Sequence, residues 1–104
     1  MKISEAIERT IAHLQQNTWV NRCPQAGTNE TDLITSIIRA TYNESLIDNA
    51  LPYRVMFFIT DNILKVKGRG LVSWNDSLNK NEFDSVLDVL NKAHTLAIRK
   101  ESNP

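Results

Sequence analysis

The sequence has few of the residues that mark disulfide-rich, membrane-spanning or low-complexity proteins. It contains one cysteine, Cys23, so an internal disulfide is excluded. No stretch has the pattern of a signal peptide, and no apolar run approaches the ~20 residues that cross a bilayer. Three glycines and three prolines occur among 104 residues, with no internal repeat. We therefore expect one globular domain, residues 1–104, in a reducing, cytoplasmic setting without membrane association.

An excess of charge of one sign is also missing, because twelve basic side chains balance twelve acidic ones. This balance argues against a protein whose whole surface binds a polyanion. One local basic cluster consists of Lys65, Lys67 and Arg69, and neighbouring glycines would let its backbone approach a phosphate or an acidic partner. The other interpretation is a solvated loop between two core segments. Weak nucleic-acid binding by this cluster is the alternative function.

The chain carries no motif that is specific for catalysis or for metal binding. Cys23, His13 and His94 are too few and too widely spaced for a zinc site, and a single cysteine beside a proline is typical of an inert thiol. Neither glycine-rich phosphate-binding pattern fits the segment that begins at Gly68. We expect no catalytic residue, no metal and no cofactor. A small enzyme of unknown reaction ranks third among the functions considered.

The most regular pattern lies near the C-terminus, from Asn79 to Arg99. Asn79 is followed three residues later by Glu82, a capping-box signature that predicts the start of a helix. Acidic residues lie towards its start and basic residues towards its end, as the helix dipole favours. Apolar residues recur at steps of three and four and predict one buried face: Phe83, Val86, Leu87, Leu90, Ala93, His94 and Ala97.

Just before this helix, Trp74, Asn75 and Asp76 form the stretch around which we expect the chain to be organised. A Trp ring is large enough to close one end of a core, and short Asn and Asp side chains hydrogen-bond the backbone of a turn. The sequence thus predicts a structural turn in which Asp76 accepts backbone N–H groups. In the rival interpretation Asn75 and Asp76 face solvent or a cleft and form a functional site.

Two further helices are predicted in the N-terminal half of the chain. Apolar residues at helical spacing indicate a helix over about residues 4–16, with Ser4 as its cap, and another over about residues 30–42. The apolar pair Leu46-Ile47 interrupts a polar segment and is expected to form a short turn that packs on the core. The tail, residues 101–104, is predicted to fray.

Residues 51–72 permit two models that periodicity alone does not separate. In the first, Pro52 begins a helix, where its missing N–H has no consequence. In the second, Asp61-Asn62 turns a hairpin within residues 53–66. We favour the helix, because Asp-Asn is a weaker hairpin signal than Asn-Gly or Asp-Gly. The predicted fold class is therefore all-α, a single-domain bundle of about four helices, with α+β as the alternative.

The order of features along the chain is distinctive. It consists of an early tryptophan, Trp19, then a helix, an apolar segment, and Trp74-Asn75-Asp76 before the last helix. This order resembles a family of small uncharacterised domains from bacteria and their phages, in which a Trp-Asn-Asp signature before the last helix recurs. The resemblance implies a small helical fold and an association with phages or mobile elements, and it implies no activity. We predict a non-enzymatic protein-interaction or regulatory module with an unknown protein partner, either a monomer or a homodimer.

Overall fold

The computed structural model describes residues 1–66 and 70–103. Within these ranges the chain forms six α-helices, one π-helical segment and a two-stranded parallel sheet, which confirms the predicted all-α class. None of the described helices is long and apolar enough to cross a membrane. The elements in chain order are α1 (Ile3–Gln16), β1 (Thr18–Trp19), β2 (Glu30–Thr31), α2 (Leu33–Ala40), α3 (Tyr42–Ser45), α4 (Leu51–Ile59), the π-helical segment Thr60–Leu64, α5 (Gly70–Ser77) and α6 (Phe83–Ser102).

One hydrophobic core lies between the helices. Helix α1 packs against both α2 and α6, and α4 packs against these three helices. Each large aliphatic side chain removed from water in this way contributes about 1.5 to 3 kcal/mol. The buried apolar residues form a single cluster: Ala6, Ile7, Leu14, Leu33, Ile37, Leu51, Val55, Ile59, Leu71, Val86, Val89, Leu90, Ala93 and Ala97.

The first turn of α1 and the last turn of α6 are joined by hydrogen bonds to the Glu101 carboxylate. Helix α1 begins one residue before the predicted start, and Ser4 lies inside its first turn instead of capping it. The Ser4 hydroxyl and backbone N–H donate to the two carboxylate oxygens of Glu101, at 2.6 and 3.2 Å. A carboxylate is favourable at this position, because the first backbone N–H groups of a helix have no partner within the helix. Helix α6 thus continues to Ser102, into the segment predicted to fray.

Helix α2 is shorter than predicted at its N-terminal end. Residues 30 and 31 form strand β2, which pairs in parallel with β1 in the register Thr18 to Glu30 and Trp19 to Thr31. The helix begins after Asp32, whose carboxylate accepts the Thr35 N–H at 2.7 Å and caps the first turn. The backbone of Glu30–Thr31 therefore pairs with a strand 12 residues upstream and is not free to enter the helix.

The helical model for residues 51–64 is confirmed, and the hairpin alternative is wrong. Pro52 lies in the first turn of α4, where it interrupts no hydrogen bond. The helix continues as a π-helical segment that ends at Lys65, whose φ of 55° is left-handed. The Lys65 N–H donates to the Thr60 carbonyl, a common way for a helix to end.

The predicted turn at residues 74–76 is wrong, because these residues lie inside helix α5. Helix α6 begins at Phe83, later than predicted, although the Glu82 carboxylate does accept the Asn79 N–H at 2.9 Å. That hydrogen bond closes a turn in front of the helix.

The buried face of α6 is also shifted slightly from the predicted one. Val86, Leu90, Ala93 and Ala97 are buried as predicted, together with Val89. Phe83 and Leu87 are half-buried, and the Phe83 ring stacks on Trp19 with centroids 5.8 Å apart. The predicted face is thus correct in its centre and too wide at its edge.

Leu90→Ala should lower the free energy of unfolding by about 2 to 5 kcal/mol, since Leu90 is fully buried and its loss leaves a cavity. Leu87→Ala is the matched control on the same helix and should lower it less, because that side chain already meets solvent. Urea unfolding followed by circular dichroism measures both. Equal losses would contradict the burial described here.

Candidate interaction surface

The side chain of Asn75 is a fully buried junction between three parts of the chain. Its Oδ1 accepts the Trp19 Nε1–H at 2.9 Å and the Leu33 N–H at 3.3 Å, and its Nδ2 donates to the Val20 carbonyl at 3.3 Å. Leu33 is the first residue of α2, so this N–H would otherwise lack a partner. Asn75 thus joins helix α5 to the β1 segment and to the start of α2.

The two neighbours of Asn75 in the Trp-Asn-Asp stretch have lesser roles. Trp74 is half-buried at the edge of the core. Asp76 is exposed, and among the described residues its carboxylate accepts a hydrogen bond from Asn75 Nδ2, at a long 3.4 Å. The expected structural role therefore belongs to Asn75, and the expectation that Asp76 accepts the backbone N–H groups of a turn is wrong.

Asn75→Ala should destabilise the protein by about 1 to 3 kcal/mol for each buried donor that it leaves unpaired. Asp76→Ala is the control and should change the free energy of unfolding by less than about 0.5 kcal/mol, as is usual for an exposed position. Thermal or urea unfolding measures both variants. Similar stabilities for the two variants would contradict the assignment of the junction to Asn75.

The structure describes part of the predicted basic cluster. Lys65 is exposed at the end of the π-helical segment, whereas Lys67 and Arg69 lie outside the described residues. Gly70 begins α5 where an added Cβ would overlap the Val66 side chain, so this glycine is needed for close packing. A role in approaching a phosphate is not needed to explain it.

The three residues considered for thiol or metal chemistry lie apart. Cys23 is exposed in the segment between the strands. His13 Nδ1 lies 2.9 Å from the buried Ser36 Oγ, and His94 Nε2 lies 4.0 Å from Glu8 Oε2. Across residues 1–66 and 70–103 there is no group of His, Cys, Asp and Glu side chains that could hold a metal ion.

The partial burial of His13 predicts a pH dependence of stability. Burial, and then the charge of Arg39, lower the pKa of His13 below its ordinary value of 6.5. The unfolded chain therefore binds this proton more readily than the folded one. Stability should be fully retained above about pH 6.5 and should fall as the pH drops from there towards the folded-state pKa.

Urea midpoints between about pH 7.5 and pH 5 measure this effect. His13→Gln, which does not titrate, should lose the part of the slope that is due to His13. The same slope in parent and variant would contradict the assignment.

A cleft of about 210 Å³ lies beside the Asn75 junction and is lined by Trp19, Val20, Asn21, Arg22 and Lys80. The Arg22 guanidinium donates two hydrogen bonds to the Glu30 carboxylate, at 2.9 and 2.7 Å. These hydrogen bonds lower the pKa of Glu30. Arg22 is therefore already paired within the chain, and Lys80 supplies the other positive charge that lines the cleft.

A group of exposed apolar side chains lies on the end of α2, on α3, on the segment that follows α3, and on α4. Six large apolar side chains there are between 45% and 94% exposed. Single exposed apolar residues are common, but contiguous groups of this kind mark interaction sites. We name this group the α3–α4 surface, and its members are Ile38, Tyr42, Leu46, Ile47, Tyr53 and Phe57.

A cleft of about 220 Å³ connects the elements of the α3–α4 surface. Ile38 lines it from α2, and Tyr53 and Met56 line it from α4. Phe57 lies one turn beyond Tyr53, on the same side of α4. Ser45 and Asn49 also line the cleft, so the segment that connects α3 to α4 runs along it.

Two ion pairs lie on the segments that bear the α3–α4 surface. Arg54 of α4 pairs with Asp48, and this pairing lowers the pKa of the Asp48 carboxyl. Arg9 of α1 pairs with Glu44 of α3 at 3.0 Å. Two ion pairs next to the apolar surface are therefore formed within the chain.

The sequence contains one signal for this surface, the apolar pair Leu46-Ile47 in a polar segment. The pair predicts a short turn that packs on the core. In the structure these residues are 70% and 94% exposed, so that expectation is wrong. Apolar residues outside any period can be core or contact residues, and composition does not separate the two.

Neither a protein-family model nor a curated protein matches this chain, and no solved structure matches it. The resemblance carried by Trp74-Asn75-Asp76 stays a prediction. We therefore infer the function from the exposure, contacts and charges of the described residues.

Proposed function

We propose that this protein is a non-enzymatic protein-interaction module and that the α3–α4 surface binds its partner. One observation carries the proposal: six large apolar side chains are exposed on three consecutive segments of the chain, and two of them, Ile38 and Tyr53, line a cleft. An aromatic side chain has about 150 to 250 Å² of surface, and an aliphatic one has somewhat less. The exposed fractions of the six side chains therefore amount to on the order of 700 Å². This area exceeds the roughly 300 to 600 Å² of the largest apolar patch on a typical monomer.

The composition of the surface supports a protein partner over a small molecule. Tyr42, Tyr53, Phe57 and Met56 belong to the residue types enriched at the centres of protein interfaces. The cleft, at about 220 Å³, is smaller than the roughly 300 to 1,000 Å³ of small-molecule sites. Its size suits one or two side chains of a partner.

The alternative function, nucleic-acid binding by residues 65–69, stays a prediction. Lys65 is exposed, and Lys67 and Arg69 lie outside the described residues. Phosphate contacts would make affinity fall steeply with salt, whereas an apolar interface would depend on salt far less. The resemblance to small phage and bacterial domains adds a proposed association with a mobile element.

Photo-crosslinking tests the proposal at the surface itself. A benzoylphenylalanine placed at Tyr53 should give a discrete protein adduct in cells that express the chain naturally. The same probe at Val72, a partly exposed position on α5, is the control and should not give that adduct. A second change in the surface, Phe57→Glu, should abolish the adduct.

An absence of adducts from position 53, or equal adducts from positions 53 and 72, would contradict the proposed function. The readout does not depend on the identity of the partner.

A further inference from the structure

We infer that the occupant of the α3–α4 surface is the same surface of a second copy of this chain, so that the protein is a symmetric homodimer. The inference rests on the proposed function and specifies its partner. Three observations on the described residues support it: the shape of the surface, its charge and its area.

The shape is complementary to itself. Leu46 and Ile47 project into solvent with 70% and 94% of their surface exposed, and they lie between Ser45 and Asn49, which both line the cleft. In a twofold interface the same surface of both copies makes the contact. A residue that projects from one copy must therefore fit a hollow in the same surface of the other copy. The four side-chain carbons of isoleucine need about 120 Å³ at ~30 Å³ per water-sized group. The cleft offers about 220 Å³.

The charge of the surface permits two identical faces to meet. The whole chain has a formal net charge of zero, so two copies do not repel one another at a distance. Closer in, Asp48 is paired with Arg54 and Glu44 with Arg9 within each copy. Identical unpaired charges facing each other across the twofold axis would oppose association, and these pairs reduce that opposition.

The area also agrees with a stable dimer. The apolar part of the surface, on the order of 700 Å², approaches the ~800 Å² that each partner buries in an interface of standard size. The polar residues that line the cleft, Ser45 and Asn49, would complete the contact as its rim.

Sedimentation equilibrium of the full chain tests the inference directly. The parent protein should have twice the chain mass of 11.8 kDa at micromolar concentrations. Ile47→Glu should dissociate it to the monomer, with a loss of at least a hundredfold in the association constant. Ile98→Glu, at another exposed isoleucine on α6, is the matched control and should leave the dimer intact. Because Ile47 is almost fully exposed in one chain, its substitution should not change the circular dichroism spectrum.

Tyr53→Ala provides a second test from the hollow side of the interface and should also weaken the dimer. A parent protein that stays monomeric up to several hundred micromolar would overturn the inference. So would a dimer that Ile47→Glu leaves unchanged, or one that Ile98→Glu weakens equally. A crosslinked adduct of foreign mass from position 53, with a monomeric purified protein, would overturn the homodimer and leave the proposed function standing.

Discussion

The fold depends on the buried amide of Asn75 more than on any other polar group. One side chain accepts hydrogen bonds from the Trp19 indole and the Leu33 backbone and donates to the Val20 carbonyl. In an apolar surrounding each of these groups would be costly without a partner, so the amide makes one arrangement of α5, β1 and α2 much more favourable than any other. Burial of the apolar core supplies most of the stabilisation. The hydrogen bonds of Asn75 fix the relative positions of α5, β1 and α2 around that core.

The α3–α4 surface lies near the C-terminal end of helix α2, whose first residue is bound by Asn75. Asn75 and Asp32 hold the start of α2, and eight residues later the helix ends and presents Ile38 beside the cleft. Helix α4 packs on α2 and contributes Tyr53 and Met56 to the same cleft. Ile38, Tyr42, Tyr53 and Phe57 are therefore held on packed helices, and a rigid surface loses less conformational entropy on binding than a flexible one.

The periodic spacing of apolar residues predicts α1, α2 and α6, whereas α4 is favoured because Asp-Asn is a weak hairpin signal. These local patterns do not predict the role of Asn75, because its partners lie 56 and 42 residues away in the sequence. Local rules assign a short polar side chain to a turn, and here tertiary hydrogen bonds place it in a helix. The same limit applies to Leu46-Ile47, since hydrophobicity indicates a residue that avoids water and does not indicate whether the core or a partner covers it.

Hydrogen exchange at the Leu33 amide tests the central claim most directly. As the first residue of α2, Leu33 has no acceptor within its own helix, and such amides normally exchange rapidly. If Asn75 Oδ1 holds this N–H in the buried junction, its exchange in the native protein should require global unfolding, with protection within about tenfold of the slowest core amides. The Trp19 indole N–H should be protected to a similar degree. Exchange of the Leu33 amide at the rate of an unprotected helix terminus would contradict the account.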